Sequence, residues 1–175
     1  MTLPIVLDLT TLADGYRSGA LTPSVVIEAV IARIAAWPDP AVWISRFGDE
    51  DLRAAAAALG DTPDPARPLW GVPCAVKDNI DVAGLDTTAA CPAFAYRPAA
   101  DAEAVARLKA AGAIVVGKTN LDQFATGLNG TRSPHGAPRS VFNEAYVSGG
   151  SSSGSAVAVA SGQVAFALGT DTAGS

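Results

Sequence analysis

Lys77 sits where a lysine is not expected. It follows Val72-Pro73-Cys74-Ala75-Val76, five residues with only apolar side chains, so its stem is directed into the protein. An amine partly removed from water loses its preference for the charged form, and a neutral lysine is a base near physiological pH. The alternative is a strand-end lysine that lays its stem on apolar surface and keeps its head in water. Two loops further along weigh against that alternative. Ser148-Gly149-Gly150-Ser151-Ser152-Ser153-Gly154-Ser155-Ala156 and Gly169-Thr170-Asp171-Thr172-Ala173-Gly174-Ser175 are rich in glycine and hydroxyl side chains. Loops of this kind gather unobstructed backbone N–H groups, which suit a bound anion or a developing negative charge. A neutral lysine that takes a proton from a serine makes a Ser-Lys hydrolase. The tight turn Thr172-Ala173-Gly174-Ser175 suits the nucleophile, because consecutive amides there can face one oxyanion. Residue types alone do not select among Ser151, Ser152, Ser153 and Ser155 for any further role. Lys109 and Lys118 show no comparable peculiarity.

Other chemistries fit less well. The one histidine, His135, lies among turn residues in Ser133-Pro134-His135-Gly136, which leaves a Ser-His-Asp site without a placed base. Cys74 and Cys91 have no C-x-x-C spacing, and with one histidine there is no ligand set for a metal; no cofactor is expected. A phosphate-binding reading of Gly149 to Ser155 lacks the lysine that follows the glycines of a P-loop, and it leaves Lys77 unexplained. A net charge of −5, with twelve scattered Lys and Arg, argues against a nucleic-acid partner. The apolar segment from Ser155 to Leu168 is interrupted by Ser161, Gly162 and Gln163, so no membrane span is expected, and the first residues lack the pattern of a secretory leader. The expected location is the cytoplasm.

These groups must be positioned by the elements between them. Leu9, Leu12 and Tyr16 mark one face of a first helix that Gly19 ends. Thr22-Pro23 starts a second, with a capping hydroxyl and proline at the first helical position. Its stripe Val26, Ile27, Val30, Ile31, Ile34 predicts a wide buried face, closed by Pro38 and Pro40. A third helix is predicted over Asp49 to Leu59, followed by Gly60. The proline-rich stretch Asp61 to Arg67 then divides a helical segment, residues 1–67, from the remainder, residues 68–175. Beyond it the period changes. Gly71 to Lys77 reads as a strand in which Pro73 must stand at an edge or at the start. Asp101 caps a helix over Ala102 to Ala111, Ala113 to Val116 is a strand, and a short helix begins at Thr119 or Asn120. Gly154 to Ser161 is a helix and Val164 to Leu168 a strand. Strands alternating with helices predict an α/β fold with a largely parallel sheet.

Three motifs in this order, Gly71-Val72-Pro73 with Val76-Lys77-Asp78-Asn79, Gly149-Gly150-Ser151-Ser152, and Gly169-Thr170-Asp171 through Gly174-Ser175, resemble the amidase signature family of serine amidohydrolases. The resemblance covers roughly Leu69 to Ser175. It implies the amidase-signature fold, a mixed and mostly parallel sheet covered by helices. It also implies Ser175 as nucleophile, Ser151 as a bridging serine after a cis Gly150–Ser151 bond, and Lys77 as base. The backbone N–H groups of Thr172, Ala173, Gly174 and Ser175 would hold the oxyanion. Together with Asn129 to Gly136, the motifs are similar to the allophanate hydrolase branch, whose members release ammonia in urea breakdown without metal or biotin in this half. By the same similarity Gly127 offers its backbone to a small amide substrate; its alternative reading is a helix C-cap. Ser153 and Ala173 stand where many members have glycine. Another amidase-signature enzyme, such as the glutaminase component of an amidotransferase or a general amidase, is the competing reading.

Family members continue well past their nucleophile. The expectation is therefore that residues 68–175 are the front part of one catalytic core, inactive alone and with an unfinished sheet edge. The long apolar helices before Arg67 offer a surface for a homodimer.

Overall fold

The computed structural model describes residues 5–175. Five helices, α1 (Leu9–Arg17), α2 (Pro23–Ala36), α3 (Asp49–Leu59), α4 (Glu103–Ala110) and α5 (Ser153–Ala160), surround four strands, β1 (Trp43–Arg46), β2 (Pro73–Lys77), β3 (Ile114–Thr119) and β4 (Phe166–Leu168). The sheet order is β1-β3-β2-β4. β2 pairs parallel with both β3 and β4, and only β1 runs antiparallel, against β3. The sheet is mixed and mostly parallel, as expected. β4 is an edge strand of three residues.

The chain leaves β2 through α4 to β3 on one side and returns through α5 to β4 on the other. β2 is thus the point where the direction of travel reverses, and in open parallel sheets the space beyond the carboxyl ends of such strands is where ligands bind. Lys77 is the last residue of β2.

Side-chain alternation along the strands divides the core. Ala75, Ile114 and Val116 pack with Val26, Ile27, Val30, Val157 and Ala158 on the face covered by α2 and α5. Cys74, Val76 and Val115 pack with Val82 and Val105 on the face covered by α4. The parity of β2 therefore sends Lys77 toward α5. β3 carries a bulge, since Cys74 faces Val115 and the next residue, Ala75, faces Gly117. The extra residue reverses the parity of the rest of β3, so Lys118 lies with Val76 toward α4 and Thr119 lies with Lys77.

The N-terminal helices follow their sequence signals. Thr22 Oγ1 accepts the Val25 N–H and Pro23 opens α2. Val26, Ile27, Val30 and Ile31 are buried, and α3 spans Asp49–Leu59 as predicted. Four readings are corrected. Leu9 is 48% exposed, because the inward face of α1 is carried by Leu12 and Tyr16 alone. Asp101 does not cap α4, whose first residue is Glu103; its carboxylate pairs with Lys109 at 2.8 Å and accepts the Ala83 N–H, a stronger set of bonds than one cap amide. No helix starts at Thr119 or Asn120: Thr119 ends β3, and the next helical turn is a short one at Gln123–Ala125. Strand β1 falls inside the stretch read as helical, because four residues between a proline turn and α3 are too few to show a period.

Candidate active site

Lys77 and Lys118 are both fully buried, with different partners. Lys118 Nζ lies 3.0 Å from Asp78 Oδ1 and donates to Thr87 Oγ1, so that cation is neutralised on the α4 side. Asp78 Oδ2 also accepts the Thr88 hydroxyl and the Thr88 N–H, which fixes the loop after β2. Lys77 has no carboxylate within ion-pair distance among the described residues. Its amine meets hydroxyls instead: Ser151 Oγ at 2.6 Å, Ser152 Oγ at 2.9 Å and Thr170 Oγ1 at 2.7 Å. Asn79 Nδ2 donates to the same Thr170 oxygen at 3.1 Å.

Burial is the main influence on Lys77 and lowers its pKa to about 8, against the opposing pull of Asp122 and then Asp171. A lysine in this range releases its proton near physiological pH.

Ser151 Oγ, 2.6 Å from Lys77 Nζ, donates to Ser175 Oγ at 3.0 Å. The three side chains form one line of hydrogen bonds with Ser151 in the middle. Ser151 is fully buried, Ser175 is half-buried, and the Gly150–Ser151 peptide bond is cis. The neighbouring serines have other partners. Ser152 bonds Lys77 and the Thr170 carbonyl, and Ser155 bonds Thr119 and the Leu168 carbonyl. Ser153 Oγ is buried without a partner. Among the described residues, Ser151 alone contacts both Lys77 and Ser175.

The turn that carries Ser175 is shaped by Asp171, whose Oδ1 accepts the N–H groups of Gly174 at 2.6 Å and Ser175 at 3.1 Å. The amides of Thr172 and Ala173 make no such bond among the described residues. Thr172, Ala173 and Ser175 line a cavity of about 260 Å³ whose other wall is Ala125, Thr126, Gly127 and Leu128. The expected substrate residue and the expected nucleophile thus share one small concavity. Larger cavities of about 430 to 510 Å³ lie elsewhere and are not lined by Lys77, Ser151 or Ser175.

Gly127 does not end a helix in the left-handed conformation, so the C-cap reading fails. A Cβ there would lie 2.4 Å from Asp122 Oδ2, and this close approach is what calls for glycine. Arg132 is exposed, with one guanidinium N–H on the Thr126 carbonyl at the cavity wall. His135 stays in its turn, where its backbone N–H donates to Ser133 Oγ, and it lines a cavity to which neither Ser151 nor Ser175 contributes. Burial raises the Cys74 thiol to about 12, and no cluster of three metal-ligating side chains occurs among the described residues. Asp122 was not singled out from sequence, and Asn79 and Thr170 stand inside the motifs without a role read for them. The available signal for Asp122 was a run of polar residues, Lys118-Thr119-Asn120 and Asp122, that closes β3 and continues into the loop after it.

The Amidase family model matches residues 25–175. The chain belongs to the amidase family. Among its relatives, urea amidolyase of Saccharomyces cerevisiae is 52% identical over 164 residues, covering 93% of this chain and 9% of that protein. A glutamyl-tRNA(Gln) amidotransferase subunit from Lawsonia intracellularis is 42% identical over 177 residues, covering all of this chain and 36% of that one. The solved structure of Kluyveromyces lactis allophanate hydrolase superposes with a TM-score of 0.85 at 46% identity, over 98% of this chain and 28% of that chain. This amidase chain therefore spans a small part of the length of the relatives it matches. Its likeness to urea amidolyase and allophanate hydrolase agrees with the branch its motifs resemble. No helix among the described residues is long and apolar enough to cross a membrane.

Proposed function

We propose that this chain carries the catalytic residues of an allophanate hydrolase, with Ser175 as nucleophile, Ser151 as proton relay and Lys77 as base. The observation that carries the reading is the line Lys77–Ser151–Ser175, at 2.6 and 3.0 Å, buried at Lys77 and Ser151 and opening at Ser175 on a cavity that Gly127 also lines.

With Lys77 neutral the two hydroxyls rotate, so that Ser175 donates to Ser151 and Ser151 to Lys77; Lys77 then accepts the Ser151 proton while Ser151 takes the proton of Ser175. The Ser175 Oγ then bonds to the amide carbonyl carbon, and the carbonyl electron pair moves to oxygen. Backbone N–H groups of Thr172 and Ala173 receive that oxyanion, joined by those of Gly174 and Ser175, shared with Asp171 Oδ1. Each such donor is worth about 3 kcal/mol of barrier. As the carbon–nitrogen bond breaks, the proton held by Lys77 passes back through Ser151 to the departing amine, which leaves as ammonia. Water attacks the acyl ester by the same relay and frees Ser175. No step requires a metal or a cofactor. The hydroxyls of Ser152 and Thr170 accept the remaining N–H bonds of Lys77 and leave its lone pair for Ser151.

The cavity of about 260 Å³ brings Gly127 beside Ser175, where a small linear amide would lie between them. In this reading residues 68–175 supply the front of the catalytic core, helices α1 to α3 pack against it, and β1 adds a strand to its sheet. A cytoplasmic location and a homodimer formed through the N-terminal helices belong to the same proposal, as does the absence of nucleic-acid and membrane partners.

The test is ammonia release by the intact protein offered allophanate, malonamate, glutamine and a fatty amide, with Ser175→Ala as control. Release from allophanate alone, lost in the control, is expected. Release from glutamine would favour the glutaminase reading, which the 42% identity to an amidotransferase component supports. Silence on all four from a folded protein would overturn the assignment.

A further inference from the structure

Asp122 is a fully buried carboxylate on the loop after β3, and no described cation forms an ion pair with it. Instead it gathers backbone. Oδ2 accepts the Gly130 N–H at 2.9 Å and Oδ1 accepts the Arg132 N–H at 2.7 Å. Its own N–H donates to the Ser151 carbonyl at 3.0 Å. Two glycines press against the carboxylate: a Cβ on Gly127 would lie 2.4 Å from Oδ2 and one on Gly150 would lie 2.5 Å from it. Gly127 belongs to the cavity wall and Gly150 to the peptide bond that presents Ser151. One side chain therefore sets the separation between the wall and the relay serine.

The same carboxylate acts on Lys77. Asp122 and Asp171 are the two charges that favour its ammonium form, while Asp78, the next residue along, is turned to Lys118 on the other face of the sheet.

We propose that Asp122 is a positioning residue of the amidase site, which fixes the cavity wall against Ser151 and keeps its carboxylate close to the Lys77–Ser151 pair. This rests on the reading of Lys77 as base. Removing the charge while keeping the shape makes both effects visible. In Asp122→Asn one carboxylate oxygen becomes an N–H₂ group that faces a backbone N–H, so one of the two loop bonds is lost. Lys77 also loses a neighbouring negative charge, so its neutral form becomes easier to reach.

The experiment measures kcat and KM for ammonia release from allophanate by the intact protein and by Asp122→Asn, from about pH 6 to 9.5. The expected result is an acid limb of kcat/KM displaced to lower pH by about half a unit or more, with KM raised about tenfold. A purely structural role would lower activity without moving that limb. An unmoved or raised limb overturns the proposal. Should Asp122→Asn fail to fold, the Asp122 carboxyl Cγ resonance of the unmodified protein replaces it. A step in that resonance at the kinetic midpoint is expected, and a flat trace overturns the proposal. Failure of the underlying reading looks different: Ser175→Ala would stay active, or the unmodified protein would show no limb near pH 8.

Discussion

Changing the proton concentration is the most direct perturbation of a lysine base, and the size of its effect follows from burial. An ordinary lysine at 10.5 is neutral in about three molecules in ten thousand at pH 7, whereas Lys77, lowered to about 8, is neutral in about one in ten. Burial therefore raises the neutral fraction of Lys77, the competent form in the proposed mechanism, about 300-fold at that pH. The sign follows from the proposed role: with the neutral amine as the active form, activity is lost as pH falls through 8 and is level above it. Below the midpoint, kcat/KM should drop about tenfold per pH unit. The assay is initial-rate ammonia release from allophanate between about pH 6 and 9.5, paired with the rate at which a serine-directed fluorophosphonate inactivates the free enzyme. Both should share one midpoint near 8, because both need Ser175 to lose its proton. A midpoint near 6.5 would point to His135, and a flat profile would remove Lys77 from the mechanism.

Two further predictions concern the support of the site. Lys118→Met leaves the Asp78 carboxylate buried without its cation and should destabilise the protein by about 3–5 kcal/mol, read as a lower urea midpoint. Gly127→Ala places a methyl group 2.4 Å from Asp122 Oδ2, so it should cost about 1–3 kcal/mol of stability and raise KM more than it lowers kcat, as steady-state kinetics and urea unfolding would show.

The sequence was readable where local rules and tertiary structure agree. Thr22-Pro23, the Val26 to Ile31 stripe and the Asp49–Leu59 helix depend on neighbours three or four residues away, and each formed as predicted. Lys77 was legible because five apolar residues before it set its direction. What escaped depends on residues far apart in the chain. β1 exists because β3 is there to pair with it. Lys118 is turned from the α5 side to the α4 side by a bulge that no periodicity announces. Asp101 obeys Lys109 and the Ala83 amide rather than the helix it precedes. Ser151 rather than Ser152 as the bridging serine is what the family resemblance implies; in the structure Ser151 reaches Ser175, while Ser152 turns to Thr170. Asp122 stayed hidden because its partners are backbone amides, Gly130 and Arg132, whose identity no side chain advertises.

The central claim is that Lys77 activates Ser175 through Ser151. Its most direct test is to treat the intact protein at pH 8 with a fluorophosphonate and locate the adduct by peptide mass spectrometry, beside Ser151→Ala and Lys77→Met. A single adduct on Ser175, formed at least about a hundredfold more slowly in either variant, is the predicted result. An adduct on Ser151 or Ser152, or labelling of Ser175 that ignores the loss of Lys77, would contradict it.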